Sequence, residues 1–326
     1  MKAAVVGCGG MGQVHARSYA GMPGVELVAV CDIIPELAEE VGRKTGASPF
    51  VSFEEMVASS DFQTVSIAVP SYLHKELVMK AAAAGKHVIC EKPIALHPED
   101  ARDMVRCCEE HGVRLFIGHV VRFFPDYAQI KRQIDEGQIG KVGVAHARRV
   151  GGHPGDARPW FKDADKSGGV IADLMVHDID FMRWTLGEVA SVYARNKVDS
   201  HMDYALLTLL FESGAVGNLE AFWGYPGSFR YSAEFAGSKG LLRCDSMSAQ
   251  SLQIRKAAVQ ESGEKAVEIP QSPGYRDPYY AELEHFVACI RDGSEPIVTA
   301  DDACKALEIA AAAHESIRTG KAVQLQ

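Results

Sequence analysis

The chain has 326 residues, a formal net charge of −9, 47% apolar residues and 24% charged ones. That length suggests two domains, and an acidic balance without a basic run argues against nucleic acid or an anionic membrane as the main partner. No apolar stretch approaches the roughly 20 residues of a membrane-spanning helix, and "MKAAVVGCGG" carries too short an apolar run for a signal peptide. The eight cysteines form no C-x-x-C pair, and several lie in apolar runs, a pattern expected of reduced, buried thiols in a cytoplasmic protein.

In chain order, apolar runs at 2–7, 25–32, 64–70, 87–93 and 114–118 predict strands. Segments at about 12–21, 35–45, 72–84 and 98–111 predict the helices between them; Pro98 followed by Glu99 and Asp100 marks a helix start. Alternating strands and helices imply βαβ units on a parallel sheet. After about residue 120 the pattern changes. A helix near 125–136, a strand near 141–149 and a Gly/Pro-rich loop at 151–159 lead into an apolar helix over 168–184. Strands then crowd together at 189–196, 203–211, 215–223, 230–237, 240–245 and 251–255, and helices near 277–292 and 299–319 close the chain. The expected fold class is therefore α/β. A doubly wound parallel sheet occupies 1–120. An α+β domain with a large, mostly antiparallel open sheet occupies 121–326, and the closing helices pack back on the first domain.

The run "VVGCGGMGQVH" places Gly7, Gly9 and Gly12 in a G-x-G-x-x-G pattern directly after the first strand. Such glycines serve a tight turn, close approach to a pyrophosphate and helix–strand packing in a Rossmann domain. The pyrophosphate rests on a helix N-terminus, so Gly10 and Met11 join the three glycines as expected cofactor contacts. Asp32 ends the second strand 20 residues after Gly12, a spacing that suits a carboxylate accepting from ribose hydroxyls. Asp32 also repels a 2′-phosphate, and Ile33 and Ile34 supply no arginine to neutralise one, so NAD is expected in preference to NADP. Lys92, beyond the strand at 87–91, belongs where doubly wound sheets bind ligands. Pro70, His74, Glu91 and Lys92 are expected at the nicotinamide end.

Within 168–184, Asp173, His177 and Asp180 fall on one helical stripe of an otherwise apolar segment. Buried charges are costly without partners. The stripe reads in three ways: a catalytic face, a buried polar cluster that ties the helix to its neighbours, or a metal site from Asp173 and His177. No further His or Cys stands at supporting metal-ligand spacing, and no metal is expected.

The glycine loop with His15, "AVPSYLH" at 68–74, Glu91-Lys92-Pro93, "GHVVRFFP" at 118–125 and "GGVIADLMVHDID" at 168–180 occur together in that order. This set resembles the glucose–fructose oxidoreductase / inositol dehydrogenase (MocA-type) family over essentially the whole chain. The resemblance implies an NAD(P)-binding Rossmann domain and a second domain that supplies a sugar or polyol site. It makes Lys92, Asp173 and His177 the catalytic residues, and places Asp180 and Arg122 at the substrate site, although the family often shows Asn-x-Arg or Arg-Arg before the Phe and here Val121 precedes Arg122. The stretch "GYPGSFRYSAEF" departs from the inositol enzymes.

The expected activity is hydride transfer between the nicotinamide and a secondary hydroxyl or carbonyl of a sugar, sugar derivative or cyclitol. His177 would act as base, Asp173 would orient it, and Lys92 would stabilise alkoxide charge. Arg158 and Trp160, in "GGHPGDARPW", are expected at the substrate. Two rivals remain: an enzyme that recycles tightly bound NAD, and a non-catalytic sugar- or nucleotide-sensing regulator. Strands 203–223 are apolar on both faces in places, as in "ALLTLLF", so a homodimer or homotetramer through the second sheet is expected.

Overall fold

The structure, a computed structural model, describes residues 1–247 and 277–325; the strand expected at 251–255 lies outside them. The first sheet contains β1 (Lys2–Val6), β2 (Glu26–Cys31), β3 (Ser48–Phe50), β4 (Thr64–Ile67), β5 (His87–Glu91) and β6 (Leu115–Gly118). They lie in the order β3-β2-β1-β4-β5-β6 and all pair in parallel. Helices α1 (Gly10–Ala20), α2 (Pro35–Thr45), α3 (Phe53–Ser59), α4 (His74–Ala83) and α5 (Pro98–Glu110) connect them. Strand order reverses between β1 and β4, which opens the crevice where doubly wound sheets bind ligands. β1 and β4 are buried along nearly all their length, as a strand covered on both faces must be. β3 and α3 were not anticipated. Strand "SPF" is too short and too polar to show a period, and Ser52 caps α3 by accepting from the Glu55 N–H.

The second sheet follows α6 (Pro125–Asp135) and comprises β7 (Val142–Gly151), β8 (Val189–Val198), β9 (Asp203–Phe211), β10 (Val216–Trp223), β11 (Arg230–Gly237) and β12 (Gly240–Asp245), with the short β13 (Val323–Gln324) at one edge. Only β7 and β10 pair in parallel; every other pair is antiparallel. Ala205, Leu207, Leu209 and Phe211 point into the core, whereas Leu206 and Leu210 alternate onto the open face, each 44% exposed.

The closing helices are α9 (Pro278–Asp292) and α10 (Ala300–Thr319). Leu283 and Phe286 of α9 pack with Tyr19 and Phe116 beneath the first sheet. α10 buries Ala303 and Leu307 in the first domain's core and Ala306, Ile309 and Ala310 in the second's. A helix with small residues all round serves two cores at once.

The segment at 168–184 is not one α-helix. Gly168 and Gly169 both take positive φ (72° and 66°) after the short α7 (Ala164–Ser167). Asp203 then accepts from the Val170 N–H at 2.8 Å, a π-helical turn covers Ile171–Met175, and α8 runs Val176–Leu186. The i→i+5 bonding of a π turn changes the angular step before α8, so the regular α-helical spacing from Asp173 to His177 is not kept.

Candidate active site

The glycine loop leaves β1 at the crevice. Gly7 has φ 89°, and a Cβ there would strike the Ala68 carbonyl on β4's side; a Cβ on Gly12 would overlap the Gly7 carbonyl oxygen. Only glycine fits either position. Gly7, Gly9, Gly10 and Met11 line a cleft of about 850 Å³ with Asp32, Pro70, Glu91, Lys92 and Asp173. Gly12 serves packing instead. Each Asp32 oxygen already accepts one backbone N–H, Oδ2 from Cys8 and Oδ1 from Ile34. A carboxylate oxygen has room for a second donor, so both remain available to a ribose diol. Ile33 beside it is 85% exposed. This cradle, with its bare helix N-terminus and its carboxylate at the far end, fits NAD.

Glu91 and Lys92 follow β5 into the cleft. Glu91 accepts from His15 of α1 at 3.0 Å and from the Lys92 N–H at 3.3 Å. Burial opposes its charge, yet the His15 bond and the charges of His15 and Lys92 hold its carboxyl below the usual range. Lys92 Nζ reaches across to the π turn and donates to the Asp173 carbonyl at 2.6 Å and to Oδ1 at 3.0 Å. These two side chains, 81 positions apart, join the domains at the floor of the cleft. His177 lies beyond them on α8, partly buried, with Nδ1 sealed and unpartnered. Burial first, then the charges of Lys92, Arg149 and His119, push its pKa well below 6.5. It is neutral at pH 7 and able to accept a proton. Asp173, committed to Lys92, makes no hydrogen bond to His177, contrary to the expectation that it orients the imidazole.

Other expected contacts stand elsewhere. Arg122 and Asp180 are both buried and bonded to each other, Nε to Oδ2 at 2.8 Å and Nη2 to Oδ1 at 2.6 Å. Arg122 also donates to Asp302 and to the Ile297 carbonyl. Burial, at 1% and 3% exposure, keeps Asp180 and Arg122 away from a substrate hydroxyl here, and their pairing is the tie that the buried-cluster reading describes. Asp178, on the same helix, forms a second fork with Arg149 of β7 at 2.9 Å. His74 is buried and does not line the cleft; its Nδ1 lies 2.8 Å from the Pro93 carbonyl and its Nε2 3.0 Å from that of Val69. It clamps the loop after Lys92 to the loop after β4. Arg158 and Trp160 line the cleft; Trp160 stacks on Phe161 at 3.8 Å and meets Tyr72 edge-on at 6.3 Å.

Two buried groups escaped sequence reading. His119 is 1% exposed, has neither ring nitrogen hydrogen-bonded, and sits 6.5 Å from the His177 ring. Its only sequence signal is a histidine directly after an apolar strand. Glu282 of α9 is sealed, and burial, together with Glu91 and Asp180, raises its carboxyl well above 4.5. All eight cysteines are buried and free. No group of three or more His, Cys, Asp or Glu among the described residues is arranged to hold a metal, and none of the described helices is long and apolar enough to cross a membrane.

Two family profiles match the chain: an oxidoreductase family with an NAD-binding Rossmann fold over residues 1–119, and the C-terminal alpha/beta domain of that family over 131–325. The scyllo-inositol 2-dehydrogenase (NAD(+)) of Bacillus subtilis is 33% identical, over 100% of this chain and 96% of its own length. The 2,7-anhydro-N-acetylneuraminate hydratase of Escherichia coli is 34% identical, over 74% of this chain and 66% of its own. The crystal structure of scyllo-inositol dehydrogenase from Lactobacillus casei, with bound NAD(H) and scyllo-inositol, superposes with a TM-score of 0.81 at 26% identity, covering 99% of this chain and 98% of that one. The glycine cradle, the Asp32 carboxylate and the Lys92–Asp173 junction thus belong to an NAD-dependent oxidoreductase of the glucose–fructose oxidoreductase / inositol dehydrogenase / MocA family, and this chain is a member of it.

Proposed function

We propose that the chain transfers a hydride between NAD and a secondary carbinol of a cyclitol, sugar or sugar derivative, with Lys92, Asp173 and His177 as its catalytic residues. The observation that carries this reading is Lys92, held by Asp173 at the cleft floor beside a histidine kept neutral by burial. NAD, when bound, supplies the hydride-accepting nicotinamide. His177 takes the hydroxyl proton as base, which its lowered pKa permits at neutral pH. Lys92 donates a hydrogen bond to the same oxygen and offsets the alkoxide charge. Asp173 fixes the ammonium so that this donor is aimed before substrate arrives. The test is absorbance of reduced nicotinamide after mixing the protein with NAD and a panel of cyclitols and aldoses. Absorbance rising through many turnovers supports the reading; a flat trace with every polyol sinks it.

A second reading, in which NAD is reduced and reoxidised in place, gains support from the likeness to a hydratase, since adding water involves no net redox change.

We further infer that another copy of the chain covers the open face of the second sheet as a dimer or tetramer. Val144, Tyr193, Leu206, Leu210 and Leu241 stand on that face between 38% and 55% exposed. An apolar patch of this kind marks an interface. Light scattering should give a mass of two or four chains, and Leu206→Glu with Leu210→Glu should give monomers; a monomeric parent would exclude the interface.

A further inference from the structure

α1 starts at Gly10 with no side-chain cap. Its first N–H groups and its dipole present positive charge to the cleft. Facing that end is a cation from the other domain. Arg158, in the segment between β7 and α7, places Nη2 2.6 Å from the point where a Cβ on Gly10 would sit and 4.0 Å from one on Gly9. Arg158 is exposed, and its guanidinium has no carboxylate or other hydrogen-bond partner among the described residues. Arg122, Arg149 and Arg183, by contrast, each hold an acid where they pack.

A guanidinium beside a helix N-terminus is electrostatically unfavourable until an anion lies between them. The segment is nonetheless held there. Trp160 stacks on Phe161 and meets Tyr72 of the first domain, and the Lys166 ammonium lies 5.9 Å from the centre of the Tyr72 ring. Two positive ends are thus kept facing each other across the path of a dinucleotide.

We propose that Arg158 grips the pyrophosphate of NAD from above, so that the cofactor is clasped by both domains and not by the Rossmann domain alone. This rests on the NAD assignment of the cleft and moves Arg158 from the substrate, where its sequence context placed it, to the cofactor. Gly10 then has a second reason to be glycine, because any side chain there would displace the guanidinium. The clasp also means that NAD leaves only after the 157–161 segment lifts, which slows release and suits a cofactor that is retained between turnovers.

Calorimetric titration of the full chain and of Arg158→Ala with NAD, ADP-ribose and adenosine tests this. A charge-assisted hydrogen bond at an accessible site predicts about tenfold weaker binding of NAD and ADP-ribose by Arg158→Ala. Adenosine, which lacks phosphates, should change less than twofold, the NAD dissociation rate should rise, and Arg158→Lys should recover part of the loss. The proposal fails if NAD affinity is unchanged, if adenosine weakens as much as NAD, or if the polyol KM rises while NAD affinity holds. Failure of the dehydrogenase reading looks different: NAD binds with the predicted Arg158 dependence, but no polyol yields reduced nicotinamide.

Discussion

Replacing His177 with alanine is expected to lower kcat about a thousandfold while leaving NAD affinity within a few-fold of the parent, since a positioned base contributes about 10²–10⁴ in rate. The imidazole is partly buried with one nitrogen sealed, and its remaining nitrogen is the one able to meet a hydroxyl proton. Lys92, Arg149 and His119 all disfavour its cation, after burial, which disfavours it most. The pH profile follows with a definite sign. Activity should persist below pH 6.5 and fall only as the pH drops through the lowered His177 pKa. An acid limb centred at or above 6.5, or turnover that survives in His177→Ala, would remove His177 as the base.

The second large effect concerns stability. Asp180→Ala is expected to destabilise the fold by about 3–5 kcal/mol, because removing one partner of a buried pair leaves a buried charge exposed to the apolar interior. Arg122 would keep Asp302, whose carboxyl is pulled to about 2 by the Arg122 and Arg183 guanidiniums against the opposing effect of burial, and which also completes the capping box of α10. That residual partner keeps the loss from being larger. Urea unfolding measures it directly. If the urea midpoint is unchanged and the polyol KM rises instead, Asp180 holds substrate and the buried-pair assignment is wrong.

The same pair shows how the site divides between sequence and structure. Sequence spacing put Asp180 on a stripe with Asp173 and His177, and the α-helical period makes that reading natural. Two events outside that period undo it. Asp173 lies in the π turn at Ile171–Met175 and is bonded to Lys92, and Arg122, 58 positions away, pairs with Asp180. His74 tells a similar story: its place after β4 was legible, but the two carbonyls that hold its ring come from Val69 and Pro93, on different loops. His119 carried only its place after an apolar strand and Glu282 no local signal, since a lone buried polar residue looks the same in sequence whether it is paired or sealed.

By itself the sequence determined the order of most of the strands and helices, β3 and α3 apart, and with it the glycine loop with Asp32 at its far end, the lysine beyond β5 and the acidic composition. All of these are local: a period of 2 or 3.6, a glycine where no Cβ fits, a charge at the end of an apolar run. What only the tertiary structure decided is which charged side chain meets which. Lys92 with Asp173, Arg122 with Asp180, and Arg158 over Gly10 are pairings across 58 to 148 positions, made when two separately built sheets and the shared helix α10 close on one another. Their partners are chosen by long-range packing, and no short-range pattern encodes it.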